Sequence, residues 1–137
     1  ADGALTHIDT MAEDDGGAYL TPQILTNVNQ NMRVMRDETF GPVVGIMKVS
    51  SDAEAIALMN DSEFGLTASL WTQDVDRAVR IGDDLETGTV FMNRADYLDP
   101  GLCWTGCKNT GRGGGLSVIG FHNLTRPKSY HLKKVTT

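Results

Sequence analysis

Apolar and polar positions along the chain switch between a two-residue and a helical period, and the switches mark its elements. Val43-Val44-Gly45-Ile46-Met47-Lys48-Val49 is an apolar run that predicts a strand over 43–49. Helical spacing starts just after it. Ser51 stands as an N-cap with Glu54 three residues on, a capping box, and Ala53, Ile56, Ala57 and Met59 follow. That helix is expected to stop near Asn60-Asp61-Ser62, and 65–71 then reads as a strand. A second helix is predicted over about 74–85, with Val75, Ala78, Val79 and Leu85 on its buried stripe. Gly82 inside it costs about 1 kcal/mol relative to Ala, which close packing against a sheet would explain. Residues 87–93 form the next strand. Strand, helix, strand, helix, strand is an α/β pattern: a parallel sheet with flanking helices.

The margins are less regular. Gly3 to His7 reads as a strand, and 9–18 as an acidic, glycine-rich exposed loop. Tyr19 to Leu25 reads as a short extended piece, which Pro22 demotes to an edge or an irregular segment. Residues 27–32 suggest a turn or one helical turn. Residues 94–115 form a long loop with almost no pattern, and 117–123 a turn or two of helix. Residues 128–134 alternate enough for a final strand. Ligands of parallel sheets collect beyond the carboxyl ends of the strands, so Asn93 and the loop after it are where a site is sought.

The segment Arg36-Asp37-Glu38-Thr39-Phe40-Gly41-Pro42-Val43 carries a second candidate. Residues two apart share a face of an extended chain, so Glu38 and Phe40 point the same way if this piece is extended. Pro42 fixes its own φ and keeps Gly41 out of the helical region. A carboxylate that accepts from two hydroxyls, beside an aromatic face, suits a flat sugar-bearing ligand. From the residues alone the plainer account is preferred, with Phe40 in the core and Glu38 in solvent.

Composition narrows the classes. A chain of 137 residues, 40% hydrophobic and 22% charged, is one ordinary globular domain in size. Its formal charge of -6 argues against nucleic acid or an anionic membrane as partner. No apolar run reaches the ~20 residues of a membrane span, and the start has no signal-peptide pattern. Cys103 and Cys107 make no disulfide framework, which points to a reducing cytoplasm. Their spacing is not that of a zinc or redox motif, and His7, His122 and His131 are scattered, so no metal is expected.

The glycines at 111, 113, 114 and 115 fit neither phosphate-binding spacing, and a turn-rich wall accounts for them better. A nucleophilic cysteine needs a base within reach. None is identifiable near Cys103 or Cys107, so both read as wall residues.

Glu38-Thr39-Phe40-Gly41-Pro42-Val43 resembles the E-x-F-G-P-V element of the NAD(P)-dependent aldehyde dehydrogenase superfamily. Three more stretches match in order: Asn60 to Ser69, Glu86 to Asn93, and Trp104 to Gly111. The similarity runs from about Gly3 to Lys134, and four ordered motifs are specific where one is not. The resemblance implies the C-terminal portion of an aldehyde-dehydrogenase-like catalytic domain over 1–125, then a C-terminal oligomerisation strand and tail over 126–137.

In that family an aldehyde is oxidised to its acid with NAD or NADP, through a thiohemiacetal and thioester on a cysteine. That cysteine and the glutamate that activates water lie upstream of the E-x-F-G-P-V element. No catalytic residue is therefore expected in this chain. Glu38 would accept from the nicotinamide ribose hydroxyls, and Phe40 would pack beside the nicotinamide ring. Asp96, Leu98, Cys103 and Trp104 would line the tunnel of a small-molecule aldehyde. The strand 128–134 would add to a neighbouring subunit's sheet, giving a homo-oligomer, a dimer or tetramer.

The family is far longer than this chain, whose first residues lack an initiator Met, so a fragment of a larger enzyme is expected, inactive alone. Other readings are a stand-alone non-catalytic assembly or cofactor-binding domain, or a related reductase acting on an activated acyl group. Upstream sequence separates them. Two departures stand out. Thr105-Gly106 replaces the usual Gly-Gly, which would reshape the tunnel, and Gly114-Gly115 replaces Arg-Glu, which would remove an ion pair that anchors the loop.

Overall fold

A computed structural model describes residues 3–8, 17–95 and 97–135, so most of the loop expected at 9–18 lies outside the described residues. The chain divides into two compact units, residues 1–62 and 63–137.

The first unit holds β1 (Leu5–Thr6), β2 (Gln23–Thr26), α1 (Arg33–Arg36), β3 (Val43–Gly45) and α2 (Asp52–Asn60). β2 lies between the other two strands, antiparallel to β1 and parallel to β3, with Gln23 opposite Val43 and Leu25 opposite Gly45. The expectation that Pro22 would make this piece an edge is corrected. Pro22 precedes the first paired residue, so its missing N–H removes no ladder bond. The N–H of Gln23 donates to Pro42 O at 2.7 Å instead. β3 is shorter than expected because Asn27, at φ 56, turns β2 out of the sheet. Ile46 N–H still reaches Leu25 O at 2.8 Å, and pairing ends there. Val28 and Met32 are buried, and α1 follows the turn predicted at 27–32.

α2 starts where the capping residues place it. Ser51 Oγ accepts from Glu54 N–H at 3.2 Å. The return bond goes one residue further back than a capping box requires: Glu54 Oε2 accepts from Ser50 N–H at 2.7 Å and from Ser50 Oγ at 2.6 Å. The Ser50 hydroxyl, then its backbone N–H, holds the Glu54 carboxyl below its ordinary value of 4.5.

The second unit contains β4 (Phe64–Gly65), β5 (Thr67–Leu70), α3 (Val75–Asp84), β6 (Thr89–Met92), β7 (Trp104–Thr105), β8 (Cys107–Lys108), β9 (Gly114–Gly115) and α4 (Ser117–Leu124). β5 and β6 are parallel, from Thr67 opposite Thr89 to Leu70 opposite Met92, with α3 as the crossover. β4 pairs with β8 and β7 with β9, both antiparallel. Asp74 caps α3, its Oδ1 accepting from Arg77 N–H at 2.9 Å. Ala68, Ala78, Leu85 and Phe91 are the buried core of this unit.

The α/β expectation holds in the two parallel pairs, β2–β3 and β5–β6, each with a helix between its strands. The stripe of α3 is narrower than predicted. Ala78 and Leu85 are buried, but Val75 and Val79 are exposed, because the two strands β5 and β6 cannot cover a whole helix face. Gly82 sits where packing asked for it: a Cβ there would meet Val90 Cγ1 at 3.3 Å. The loop 94–115, expected without structure, contains three two-residue strands. Residues 128–134 form no strand within the chain and are exposed, since a strand needs a partner for its backbone groups. No helix among the described residues is long and apolar enough to cross a membrane.

Candidate cofactor and substrate surfaces

The Glu38–Phe40 segment is held at both ends. At its start Asp37 N–H closes α1 on Arg33 O at 2.8 Å, and Arg33 Nε meets Asp37 Oδ2 at 2.6 Å. Arg36 Nη1 reaches Asp61 Oδ2 at 3.4 Å and Gln30 O at 3.3 Å. These ion pairs are solvent-exposed and contribute little energy, so the backbone bond from Asp37 N–H is what fixes the start of the segment. At its end Val43 N–H folds back on Gly41 O at 2.8 Å, a tight turn that leads into β3. Between these anchors Glu38 is exposed, and Phe40 is 93% exposed. The plainer account of Phe40 as core is therefore wrong for this chain. An exposed phenyl face can cover a planar ring, and an exposed carboxylate can accept from hydroxyls.

In the second unit the loop after β6 starts from a strained residue. Asn93 has φ 54, and its side chain brackets Thr72, with Nδ2 donating to Thr72 O at 2.7 Å and Oδ1 accepting from Thr72 N–H at 2.9 Å. Asn tolerates this conformation better than other residues with a side chain. The Arg94 guanidinium lies 3.8 Å from the centre of the Tyr97 ring. Asp96 lies outside the described residues. Leu98 and half-buried Trp104 come together, with Gly115 and Leu116, around one hollow. Cys103, also half-buried, abuts the backbone of Gly114, where an added Cβ would come within 2.8 Å of its Sγ. Both cysteines are free thiols.

Loss of the expected Arg-Glu pair does not leave this loop unanchored. Thr105 Oγ1 donates to Gly113 O at 2.6 Å, Gly65 N–H donates to Thr110 Oγ1 at 2.9 Å, and Lys108 Nζ meets Glu86 Oε2 at 2.8 Å. Leu116 lines the same hollow as Leu98 and Trp104 and was not among the residues the sequence suggested. Nothing in an isolated leucine after three glycines signals its φ of 59. Among the described residues no group of three or more His, Cys, Asp or Glu is placed to hold a metal ion.

The sequence profile described as the Aldehyde dehydrogenase family matches residues 1–130. The chain belongs to the aldehyde dehydrogenase family. An aldehyde dehydrogenase from Paenarthrobacter nicotinovorans is 42% identical over 113 residues, 82% of this chain and 25% of that protein. One from Agaricus bisporus is 32% identical over 132 residues, 96% of this chain and 26% of that protein. The structure is similar to betaine aldehyde dehydrogenase from Staphylococcus aureus in complex with NAD+, with a TM-score of 0.82, 31% identity, and coverage of 89% of this chain and 25% of that one. It is also similar to an indole-3-acetaldehyde dehydrogenase complexed with NAD+, with a TM-score of 0.85, 33% identity, and coverage of 94% and 26%. The chain thus spans about a quarter of the length of the aldehyde dehydrogenases it matches.

Proposed function

We propose that this chain is the C-terminal portion of an NAD(P)-dependent aldehyde dehydrogenase and supplies cofactor contacts, one wall of the aldehyde site and a subunit strand, but no nucleophile. The observation that carries the reading is the nearly full exposure of Phe40, two residues after an exposed Glu38, on a segment whose backbone is hydrogen-bonded at both ends. An apolar ring in that position fits a planar partner, and a carboxylate fits the two hydroxyls of a ribose. When bound, NAD or NADP supplies the hydride acceptor. Glu38 accepts from the nicotinamide ribose hydroxyls and Phe40 packs beside the nicotinamide ring, which orients that ring. Asp96, Leu98, Cys103 and Trp104 line the aldehyde's path. The thiol that adds to the aldehyde and the carboxylate that activates water come from the remainder of the polypeptide. The whole enzyme works in the cytoplasm as a homo-oligomer, with 128–134 adding to a neighbour's sheet.

The test uses the 137-residue chain mixed with NAD+ or NADP+ and a panel of aldehydes. No reduced nicotinamide is expected from the chain alone, and turnover is expected once it is joined to the remaining three-quarters of the polypeptide. Reduced nicotinamide from the isolated chain contradicts the proposal.

A further inference from the structure

We propose that Gln30 is a positioning residue for the cofactor contacts: its side-chain amide ties the end of α2 to the short helix from which Glu38 and Phe40 lead off. The inference rests on the reading of Glu38 and Phe40 as dinucleotide contacts, and adds the residue that places them. The bond from Asp37 N–H to Arg33 O fastens the segment to α1, so the segment starts wherever α1 lies. α1 is a single turn of 4 residues. A helix that short has no stability of its own, so its position is set by what surrounds it.

Two kinds of contact surround it. The first is apolar. Met35 lies over Gly45 of β3, where an added Cβ would overlap its Sδ and stand 3.3 Å from Val28 Cγ2. Met35 also lines a hollow with Met47, Leu58 and Met59. Such packing holds α1 near β3 and α2, but it is not directional, and a methionine side chain adapts when its neighbours shift. The second contact is directional and comes from Gln30. This residue is half-buried and lines the same hollow, and its Nε2 donates to Asp61 O at 2.7 Å and to Leu58 O at 3.4 Å. The last carbonyls of a helix have no partner within it. At the end of α2, Ala57 O accepts from Asp61 N–H at 3.0 Å, and the Gln30 amide serves Leu58 O. Gln30 is thus a cap supplied to α2 from outside the helix. Its own backbone carbonyl accepts from Arg36 Nη1 at 3.3 Å, on the last residue of α1. The Arg36–Asp61 ion pair closes the same circuit but is exposed, so it contributes little. Without the amide, α1 is left on its methionine packing alone, and Glu38 begins two residues after its end.

The experiment titrates the whole enzyme containing this chain with NAD+ and with NADP+ by calorimetry. Gln30→Met keeps the reach and the apolar packing of the side chain and removes the donor. It is expected to weaken binding about fivefold, the worth of one neutral hydrogen bond, and less than the loss of Glu38 itself. Gln30→Glu, which sets an acceptor against the two carbonyls, is the second variant and is expected to weaken binding at least as much. In an enzyme already carrying Glu38→Gln and Phe40→Ala, Gln30→Met is expected to change binding by less than about twofold, because residues that act through one contact are not additive. Unchanged binding in both Gln30 variants, where Glu38→Gln weakens it, overturns the inference and leaves the reading of Glu38 and Phe40 standing, whatever the thermal midpoint does. A loss of about fivefold that persists in the Glu38→Gln Phe40→Ala enzyme overturns it also, since Gln30 then acts by another route. Full binding by the Glu38→Gln Phe40→Ala enzyme overturns the cofactor reading itself, and the inference with it.

Discussion

Gly88 shows what a single residue contributes to this structure. A Cβ built there would overlap the carbonyl of Thr105, so the strand entering β6 and the strand β7 lie against each other only because position 88 has no side chain. Gly88→Ala is expected to destabilise the chain by about 3 kcal/mol, since rigid backbone and not a flexible side chain must move. Chemical denaturation of the two proteins checks this, and an unchanged midpoint contradicts it. Gly65 is similar, with a Cβ directed at the Glu86 carbonyl. The glycines of the Phe64-Gly65 and Glu86-Thr87-Gly88 stretches are thus explained by close packing. Phe40 was legible in its motif but not in its chemistry: its residue type argues for burial, and only the structure shows the ring in solvent. Leu116 was not legible at all, because a positive φ in a non-glycine residue is imposed by hydrogen bonds from distant backbone.

At the scale of elements, local signals were readable and tertiary ones were not. The caps of α2 and α3 follow from Ser51 and Asp74, whose oxygens need only the N–H three residues on. Ser51→Ala is expected to cost about 1 kcal/mol of stability, measured as a lowered denaturation midpoint. Glu54 adds a pH dependence. Its folded-state pKa lies below the ordinary 4.5, so its contribution is fully present above 4.5 and is lost as pH falls through the lower folded value. Glu54→Gln is therefore expected to lower the thermal midpoint at neutral pH and to narrow its gap to the parent below 4.5. A gap that stays constant with pH contradicts the Ser50–Glu54 bonds. What the sequence could not supply is partnership. Val75 and Val79 have the right spacing for a buried stripe, yet spacing says nothing of how many strands lie beneath a helix. The two-residue strands β7, β8 and β9 are too short to alternate, and Gly114-Gly115 has no side chains to alternate with.

The molecule as a whole has the composition of a closed domain, but its surface does not match. Phe40, Trp71, Phe121, Leu124 and Leu132 all lie largely in solvent. Exposed apolar groups on this scale mark surfaces that meet something else. The chain covers about a quarter of its relatives' length, which accords with a portion whose faces are completed elsewhere. The tail over 126–135 fits the same account. It is exposed throughout, without helix or strand, and carries Arg126, Lys128, Lys133 and Lys134 around Tyr130 and Leu132. If the tail adds a strand to a neighbour's sheet, removing 126–137 from the whole enzyme is expected to lower its oligomeric state, as measured by sedimentation. An unchanged assembly contradicts that role.

Glu38 and Phe40 are proposed as the grip on the nicotinamide half of a dinucleotide. The most direct measurement is calorimetric titration of the whole enzyme containing this chain with its dinucleotide, for the parent, Glu38→Gln and Phe40→Ala. A charged hydrogen bond to a ribose hydroxyl is worth enough that Glu38→Gln is expected to weaken binding about tenfold and to slow turnover of the whole enzyme, with the thermal midpoint of the 137-residue chain unchanged because both side chains lie in solvent there. Binding and turnover equal to the parent in both variants would contradict it.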